Sequence, residues 1–157
     1  MTLEINDQAP DFSAAATDAE TLSLRDFAGQ TLVLYFYPRD NTPGCTKEGE
    51  AFRDQYADFR AAGAAIVGVS RDSVKKHQNF KAKYGFPFDL IADVDEVLCT
   101  AYGVLKEKNM YGKKHVGIER STFVIDGDGV VRNIWRGVKV NGHADEVLTA
   151  VRELQSA

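Results

Sequence analysis

The chain has 157 residues with 44% hydrophobic and 27% charged side chains, a net charge of −4 and two cysteines. The length suits a single domain over residues 1–157, and the acidic balance argues against nucleic acid as the main partner. Two cysteines are too few for a secreted disulfide framework, residues 1–7 are too polar for a secretory signal, and no apolar stretch is long enough to span a membrane. We therefore expect a cytoplasmic protein with reduced thiols and no membrane partner.

The N-terminal part of the sequence predicts a short hairpin. Residues 9–12 are typical of an extended segment and residues 21–24 of its partner strand, with a turn at 18–20. A short helical turn is expected over residues 23–27. The apolar run 31–36 then has the length and composition of a buried strand.

This buried strand leads into a turn that starts a helix. The run breaks at Pro38, and Thr42 followed by Pro43 has the pattern of an N-cap residue and a first helical residue. Cys45 then falls at the third helical position, where the backbone N–H groups are free and the positive end of the helix dipole favours thiolate over thiol. Gly44 leaves the approach to the backbone open. Because a thiolate is the nucleophilic form, Cys45 is the main candidate for chemistry.

The middle of the chain alternates helices with strands. Apolar residues at spacings of four, three and four predict one helix from residue 42 to residue 63. Residues 65–70 are typical of a second buried strand, and Ser73 is expected to cap a helix that runs to Lys83. A short strand over residues 88–91 follows.

A further helix is expected to start at Asp93. Its buried face is predicted to carry Val94, Val97, Leu98 and Ala101. At about 100° per residue, Cys99 falls on the flank of this helix, so we expect its thiol to be partly accessible.

The last part of the sequence predicts a hairpin and a closing helix. Residues 105–120, rich in lysine and glycine, are interpreted as a loop. A strand over 121–126 turns into a partner strand over 130–135, and an amphipathic helix runs from 143 to 154. This order predicts an α/β domain of thioredoxin-like fold, with a central mixed β-sheet flanked by helices and an N-terminal hairpin.

The spacing Pro38-x-x-x-Thr42-x-x-Cys45 is the active-site signature of peroxiredoxins, and the sequence resembles that family. The resemblance is strongest to the bacterioferritin-comigratory (PrxQ) subfamily and runs along essentially the whole chain. Further matching segments are Ala9–Phe12, Gly68–Asp72, Arg120–Phe123 and Gly142–Asp145.

The resemblance implies a thiol-specific peroxidase with a role in antioxidant defence. Such an enzyme reduces hydrogen peroxide and organic hydroperoxides to water and alcohols through a sulfenic acid on Cys45. Thioredoxin or a small thiol then recycles the enzyme, which we expect to be a monomer. The resemblance also implies catalytic roles for Thr42, Pro38 and Arg120.

A thiolate that attacks a peroxide needs a cation beside the sulfur. From the residues alone, Arg120 competes for this place with Arg39, Arg71 and Lys47. The match of residues 119–123 to the family's arginine motif selects Arg120, whose guanidinium could contact the sulfur and a peroxide oxygen together. The three histidines lie far apart in the sequence, so we expect neither a metal nor another cofactor.

The sequence departs from the family at the second, resolving cysteine. Many members carry it at the position that is Glu50 here, and others at what looks like Lys81. Since the only other thiol is Cys99, we favour a mechanism with one essential cysteine, Cys45. The alternative is a Cys45–Cys99 disulfide that thioredoxin opens.

Two other functions are compatible with a thioredoxin-like fold. A thiol–disulfide oxidoreductase needs Cys-x-x-Cys, whereas Thr42 occupies the first of these positions here. A non-catalytic redox-sensing module would use Cys45 as a signal only. Turnover with peroxide, reduction of insulin disulfides, or a single oxidation without turnover distinguishes the three.

Overall fold

The computed structural model describes residues 3–18 and 20–156. The chain starts with an antiparallel pair, β1 (Ser13–Ala14) and β2 (Leu22–Ser23), followed by a short 3-10 helix at Leu24–Phe27. The N-terminal hairpin and the helical turn are therefore confirmed, although β1 lies just after the predicted extended segment. Part of the turn predicted at 18–20 lies outside the described residues.

A central sheet of five strands organises the rest of the chain. The elements after the 3-10 helix follow in the order β3 (Thr31–Phe36), α1 (Pro43–Asp54), α2 (Tyr56–Ala61), β4 (Ala64–Ser70), α3 (Val74–Tyr84), β5 (Asp89–Ala92), α4 (Val97–Ala101), β6 (Leu105–Met110), β7 (Lys113–Ile118), β8 (Ser121–Ile125), β9 (Val131–Arg136) and α5 (His143–Ser156).

The strand order in this sheet is β5-β4-β3-β8-β9. Strands β3, β4 and β5 are parallel, and β8 and β9 are antiparallel to their neighbours, so the sheet is mixed as the sequence predicted. This is a thioredoxin-like arrangement. Within the described part of the chain, none of the helices is long and apolar enough to cross a membrane.

The alternation of side chains along β3 divides the core into two clusters. Leu32, Leu34 and Phe36 face a cluster that contains β2 and α4 residues. Val33 and Tyr35, with Tyr37 just beyond the strand, face the opposite cluster, which contains residues of α1, α2, α3 and α5. Because successive side chains of a strand point to opposite faces, the sheet separates the two clusters.

The single helix predicted over 42–63 is wrong in one respect. Gln55 leaves helical geometry, with φ −107° and ψ 9°, and divides the segment into α1 and α2. Phe52 and Phe59 remain fully buried on either side of this break, with ring centroids 5.8 Å apart. The apolar spacing therefore identified the buried residues Phe52 and Phe59 correctly but not the break in the helix between them.

The helix predicted from Asp93 is also wrong in its start and its buried face. The carboxylate of Asp93 accepts hydrogen bonds from the N–H groups of Leu98 (3.0 Å) and Cys99 (2.8 Å), and α4 begins only at Val97. As a result, Val94 and Val97 are 58% and 65% exposed, whereas Cys99 is completely buried.

Residues 105–120 are not a loop, as predicted, but form the β6–β7 hairpin. The two strands pair from Leu105 with Ile118 to the turn at Tyr111 and Gly112. Both turn residues have positive φ, +53° and +76°, which is the backbone of a type I′ hairpin turn. The high lysine content concealed the strands, because most of the hairpin's described side chains face solvent.

Candidate active site

The start of α1 places Cys45 as predicted. Thr42 is the N-cap residue in extended geometry, Pro43 is the first helical residue, and Cys45 is the third. The side chain of Cys45 is 2% exposed and lies in the same core cluster as Tyr35 and Tyr37. The sulfur therefore sits at the positive end of a helix in largely apolar surroundings.

The hydroxyl of Thr42 does not cap the helix, contrary to one of its predicted roles. It donates instead to the carbonyl of Arg39 at 2.8 Å and so closes the turn before the helix. Among the residues that the structure describes, the N–H groups of Gly44 and Cys45 have no acceptor. These first-turn donors are available to an oxygen that approaches the sulfur.

Arg120 joins this site from the segment between β7 and β8. Its Nη2 donates to the sulfur of Cys45 at 3.3 Å, and its Nη1 donates to Oε1 of Glu48 at 2.6 Å. Gly44 allows this approach, because a Cβ atom there would lie 3.2 Å from Nη2 of Arg120. The predicted proximity of Arg120 to Cys45 is confirmed.

Among the described residues, the other cations considered for this place make no hydrogen bond to the Cys45 sulfur. Arg71 donates to the Glu96 carboxylate at 3.0 Å and to the carbonyl of Val116 at 3.2 Å. Arg39 and Lys47 are exposed.

Glu48 completes the site, and sequence analysis missed it. It lies three residues after Cys45, so both side chains share one face of α1. Once a cation was expected near the sulfur, this spacing could have indicated Glu48 as the carboxylate that pairs with it. Its carboxylate is 1% exposed, and among the described residues its Oε2 has no partner, nor does the buried hydroxyl of Tyr35.

Burial and charge act in opposite directions on Glu48. Burial disfavours the charged form and the Arg120 guanidinium favours it, and burial prevails, so the pKa of Glu48 is raised to about 7. Burial lowers the pKa of Arg120, but Glu48 and Cys45 more than offset this and raise it. Arg120 therefore stays positively charged while Glu48 changes its charge near neutral pH.

This raised pKa makes a testable contribution to stability. Between pH 4.5, the ordinary value for a glutamate, and pH 7 the folded protein keeps a proton on Glu48 that the unfolded chain releases. The free energy of unfolding therefore falls as pH rises through this window, by up to about 1.4 kcal/mol per pH unit. Glu48→Gln removes this titration, so the variant should gain stability relative to the wild type from pH 4.5 to 7.

Urea unfolding at several pH values measures the difference. Glu50→Gln, a partly exposed glutamate of the same helix, serves as the control. A difference between Glu48→Gln and the wild type that does not change with pH would contradict the raised pKa.

The imidazole ring of His143 is an uncharged group packed near the site. It is the first residue of α5, as expected, and its Nε2 lies 2.8 Å from the hydroxyl of Thr122. Burial, and then the charge of Arg120, lower the pKa of His143 to about 4. Its ring packs edge-on against Trp135 and Phe52, so near neutral pH it contributes an uncharged, apolar surface.

Pro38 lies at the mouth of the site. A groove of about 460 Å³ is lined by Pro38, Lys106, Glu107, Lys108, Glu119, Arg120, Gly137 and Val138. The structure therefore brings Pro38 and Arg120 to one groove beside Cys45, while the catalytic roles of these residues remain proposals.

A buried network holds the turn before Cys45. The Asp40 carboxylate accepts a hydrogen bond from the hydroxyl of Tyr37 at 2.6 Å and lies 2.7 Å from Nδ1 of His77. The backbone N–H of Asp40 donates to the Asp72 carboxylate at 2.9 Å. Nε2 of His77 binds the carbonyl of Ile91 at 2.9 Å. Potential ligand atoms of Asp40, Asp72 and His77 lie within 4.8 Å of one another, but each is engaged in these hydrogen bonds, which tie the turn to α3 and β5.

Cys99 is less accessible than the sequence predicted. It is completely buried in the cluster on the other face of the sheet from Cys45. Burial, together with a hydrogen bond to the Asp93 carboxylate, raises the pKa of its thiol strongly and so disfavours the thiolate. The structure does not bring Cys99 to Cys45.

The two positions at which the family carries a resolving cysteine have other roles here. Lys81 forms ion pairs with Asp18 and Asp89. Glu50 lies 3.8 Å from Arg53 in the same helix.

A mixed sheet of this order, with a cysteine in the first turn of the helix after β3, defines a thioredoxin-fold thiol protein. The AhpC/TSA family profile matches residues 5–134. The chain is 53% identical over 150 residues to a peroxiredoxin Bcp of Xanthomonas campestris. This alignment covers 96% of this chain and 94% of that protein. It is 46% identical over 154 residues to a peroxiredoxin Bcp of Bacillus subtilis, covering 98% of both chains.

Solved structures of related proteins superpose closely on this chain. The bacterioferritin comigratory protein of X. campestris, described for its alkyl peroxide reduction activity, superposes with a TM-score of 0.90 at 52% identity and covers 98% of both chains. A PrxQ of Xylella fastidiosa superposes with a TM-score of 0.92 at 43% identity, again over 98% of both chains. The chain therefore belongs to the AhpC/TSA family, as a peroxiredoxin of the Bcp and PrxQ type, a class of thiol peroxidases.

Proposed function

We propose that this enzyme reduces hydrogen peroxide and organic hydroperoxides with Cys45 as its nucleophile. The 3.3 Å contact between Nη2 of Arg120 and the Cys45 sulfur carries this proposal. A guanidinium at that distance stabilises a thiolate, which is the attacking species. We further propose that residues 1–157 act as one domain, as a monomer, in the cytoplasm.

In the first half-reaction the Cys45 thiolate attacks the terminal oxygen of the hydroperoxide. A sulfur–oxygen bond forms, the oxygen–oxygen bond breaks, and the alkoxide leaves and takes up a proton as alcohol, or as water from hydrogen peroxide. The free N–H groups of Gly44 and Cys45, together with Arg120, offer donors for the charge that develops on oxygen. Pro38 and Thr42 shape the turn that presents the sulfur.

In the second half-reaction an external thiol reduces the Cys45 sulfenic acid. The thiol sulfur bonds to Cys45 with loss of water, and a second thiol releases Cys45 as the external disulfide forms. Thioredoxin or a small thiol is the proposed donor. The burial of Cys99 on the opposite face of the sheet supports a cycle with one essential cysteine.

Steady-state peroxide consumption with several reductants tests this function. We expect catalytic turnover with hydrogen peroxide when thioredoxin or dithiothreitol is supplied, and no reduction of insulin disulfides by the enzyme alone. A single oxidation of Cys45 without turnover under any reductant would instead indicate a redox-sensing module.

Cys99→Ala should retain turnover with peroxide, because Cys99 is remote from Cys45. The change should lower the free energy of unfolding by about 1 kcal/mol, since it leaves a small cavity in the core. Parallel measurements of peroxidase rate and thermal unfolding check both expectations. Loss of turnover in a folded variant, together with a Cys45–Cys99 peptide after oxidation of the wild type, would establish the disulfide mechanism instead.

A further inference from the structure

The β6–β7 hairpin, residues 105–118, supplies part of the lining of the groove that contains Pro38 and Arg120. Within the described residues its two strands pair only with each other, as a sheet separate from the central one. Its base is anchored by the buried Ile118 and by a hydrogen bond from Arg71 to the carbonyl of Val116. A lone two-stranded hairpin is marginal in stability, so its outer half adds little to the fold.

The solvent-facing surface of the hairpin carries a distinctive set of side chains. Tyr111, at the tip, is 100% exposed, and Val116 is 49% exposed. Four lysines against one glutamate give the hairpin a net charge of +3, in a chain whose total is −4. The lysines are Lys106, Lys108, Lys113 and Lys114, and the glutamate is Glu107.

The hairpin borders the same groove as Arg120, whose Nη2 contacts the Cys45 sulfur at 3.3 Å. Lys106, Glu107 and Lys108 line the same groove as Pro38 and Arg120. At about 3.3 Å per residue, a strand of six residues extends about 20 Å, well beyond what a small hydroperoxide can contact. Only a macromolecule that comes to Cys45 meets the whole hairpin.

We propose that the hairpin is the docking site for the protein that reduces Cys45, a thiol protein with an acidic surface around its thiol. Positive charge on the hairpin steers this partner, and Tyr111 supplies an amphipathic anchor of the kind enriched at protein interfaces. The inference rests on the proposed function and names the recognition surface for its second half-reaction.

The test compares the peroxidase turnover of the enzyme with a protein reductant and with a small-molecule reductant. Lys113→Glu/Lys114→Glu reverses two charges of the hairpin, and Tyr111→Ser removes the aromatic ring without changing charge. Arg25→Glu/Lys83→Glu is the matched control, because it makes the same charge change at two exposed residues that precede β3 and β5, whereas Cys45 follows the carboxyl end of β3. Each variant is assayed with an acidic thioredoxin and with dithiothreitol.

We expect kcat/KM for thioredoxin to fall about tenfold in the hairpin charge variant and severalfold in Tyr111→Ser. Turnover with dithiothreitol should stay within about twofold of wild type in all variants. High salt should weaken the thioredoxin reaction of the wild type more than that of the hairpin charge variant.

Unchanged thioredoxin turnover in the hairpin variants, or an equal loss in the control variant, would overturn the docking site alone. Turnover with dithiothreitol but none with thioredoxin would also overturn it. Absence of turnover with dithiothreitol in the wild type would overturn the proposed function, and the docking site with it.

Discussion

Cys45→Ser should abolish peroxide reduction and leave the fold intact. The substitution replaces sulfur by oxygen at a buried position with almost no change in shape, and a serine hydroxyl is not ionised near neutral pH. Without the sulfur there is no thiolate for Arg120 to stabilise, and no sulfenic acid can form. Peroxide consumption should therefore fall to the level of a blank without protein.

The matched control for this result is Cys99→Ser, a second buried cysteine changed in the same way. Circular dichroism and thermal unfolding establish that both variants are folded. Catalytic peroxide consumption by Cys45→Ser above the blank would remove Cys45 from the proposed role.

Arg120→Ala should slow the reaction of Cys45 with peroxide by about 10²–10³, the usual effect of removing one donor that stabilises developing charge. The same variant leaves Glu48 buried without its guanidinium partner, which costs up to about 3–5 kcal/mol of stability unless Glu48 takes up a proton.

A double variant separates these two effects. Arg120→Ala/Glu48→Gln removes the buried charge along with its partner, so it should recover stability but not the rate with peroxide. If the rate recovers together with the stability, Arg120 acts only as a structural partner of Glu48. Arg120→Lys keeps the charge but lacks the planar fork that reaches Cys45 and Glu48 at once, so it should be intermediate.

Local rules were enough to place Cys45. The apolar run 31–36, the N-cap position of Thr42 before Pro43, and the start of the helix that follows depend on neighbouring residues, and the structure confirms each of them. Local rules did not identify the cation beside the sulfur. Its choice among four candidates depended on the resemblance to a family, because Arg120 reaches the sulfur across 75 residues of sequence.

The error at α4 and the missed pair of Asp40 and His77 have causes that hydrophobic periodicity does not detect. The first is polar contacts with an unusual backbone, and the second is a contact between residues distant in sequence. The face that α4 buries is set by the Asp93 carboxylate and by the left-handed backbone of Glu96, with φ +63°. The buried pair of Asp40 and His77 joins residues 37 positions apart. Hydrophobic periodicity reports none of these, because it counts only which side chains are apolar.

The most direct measurement is the chemical state of Cys45 after one equivalent of hydrogen peroxide. The enzyme is oxidised in the presence of a sulfenic-acid trap and analysed by intact mass and peptide mapping. The predicted result is one trapped adduct on Cys45 with Cys99 still a free thiol. An adduct absent from Cys45, or oxidation that appears first at Cys99, would contradict the assignment of Cys45 as the nucleophile.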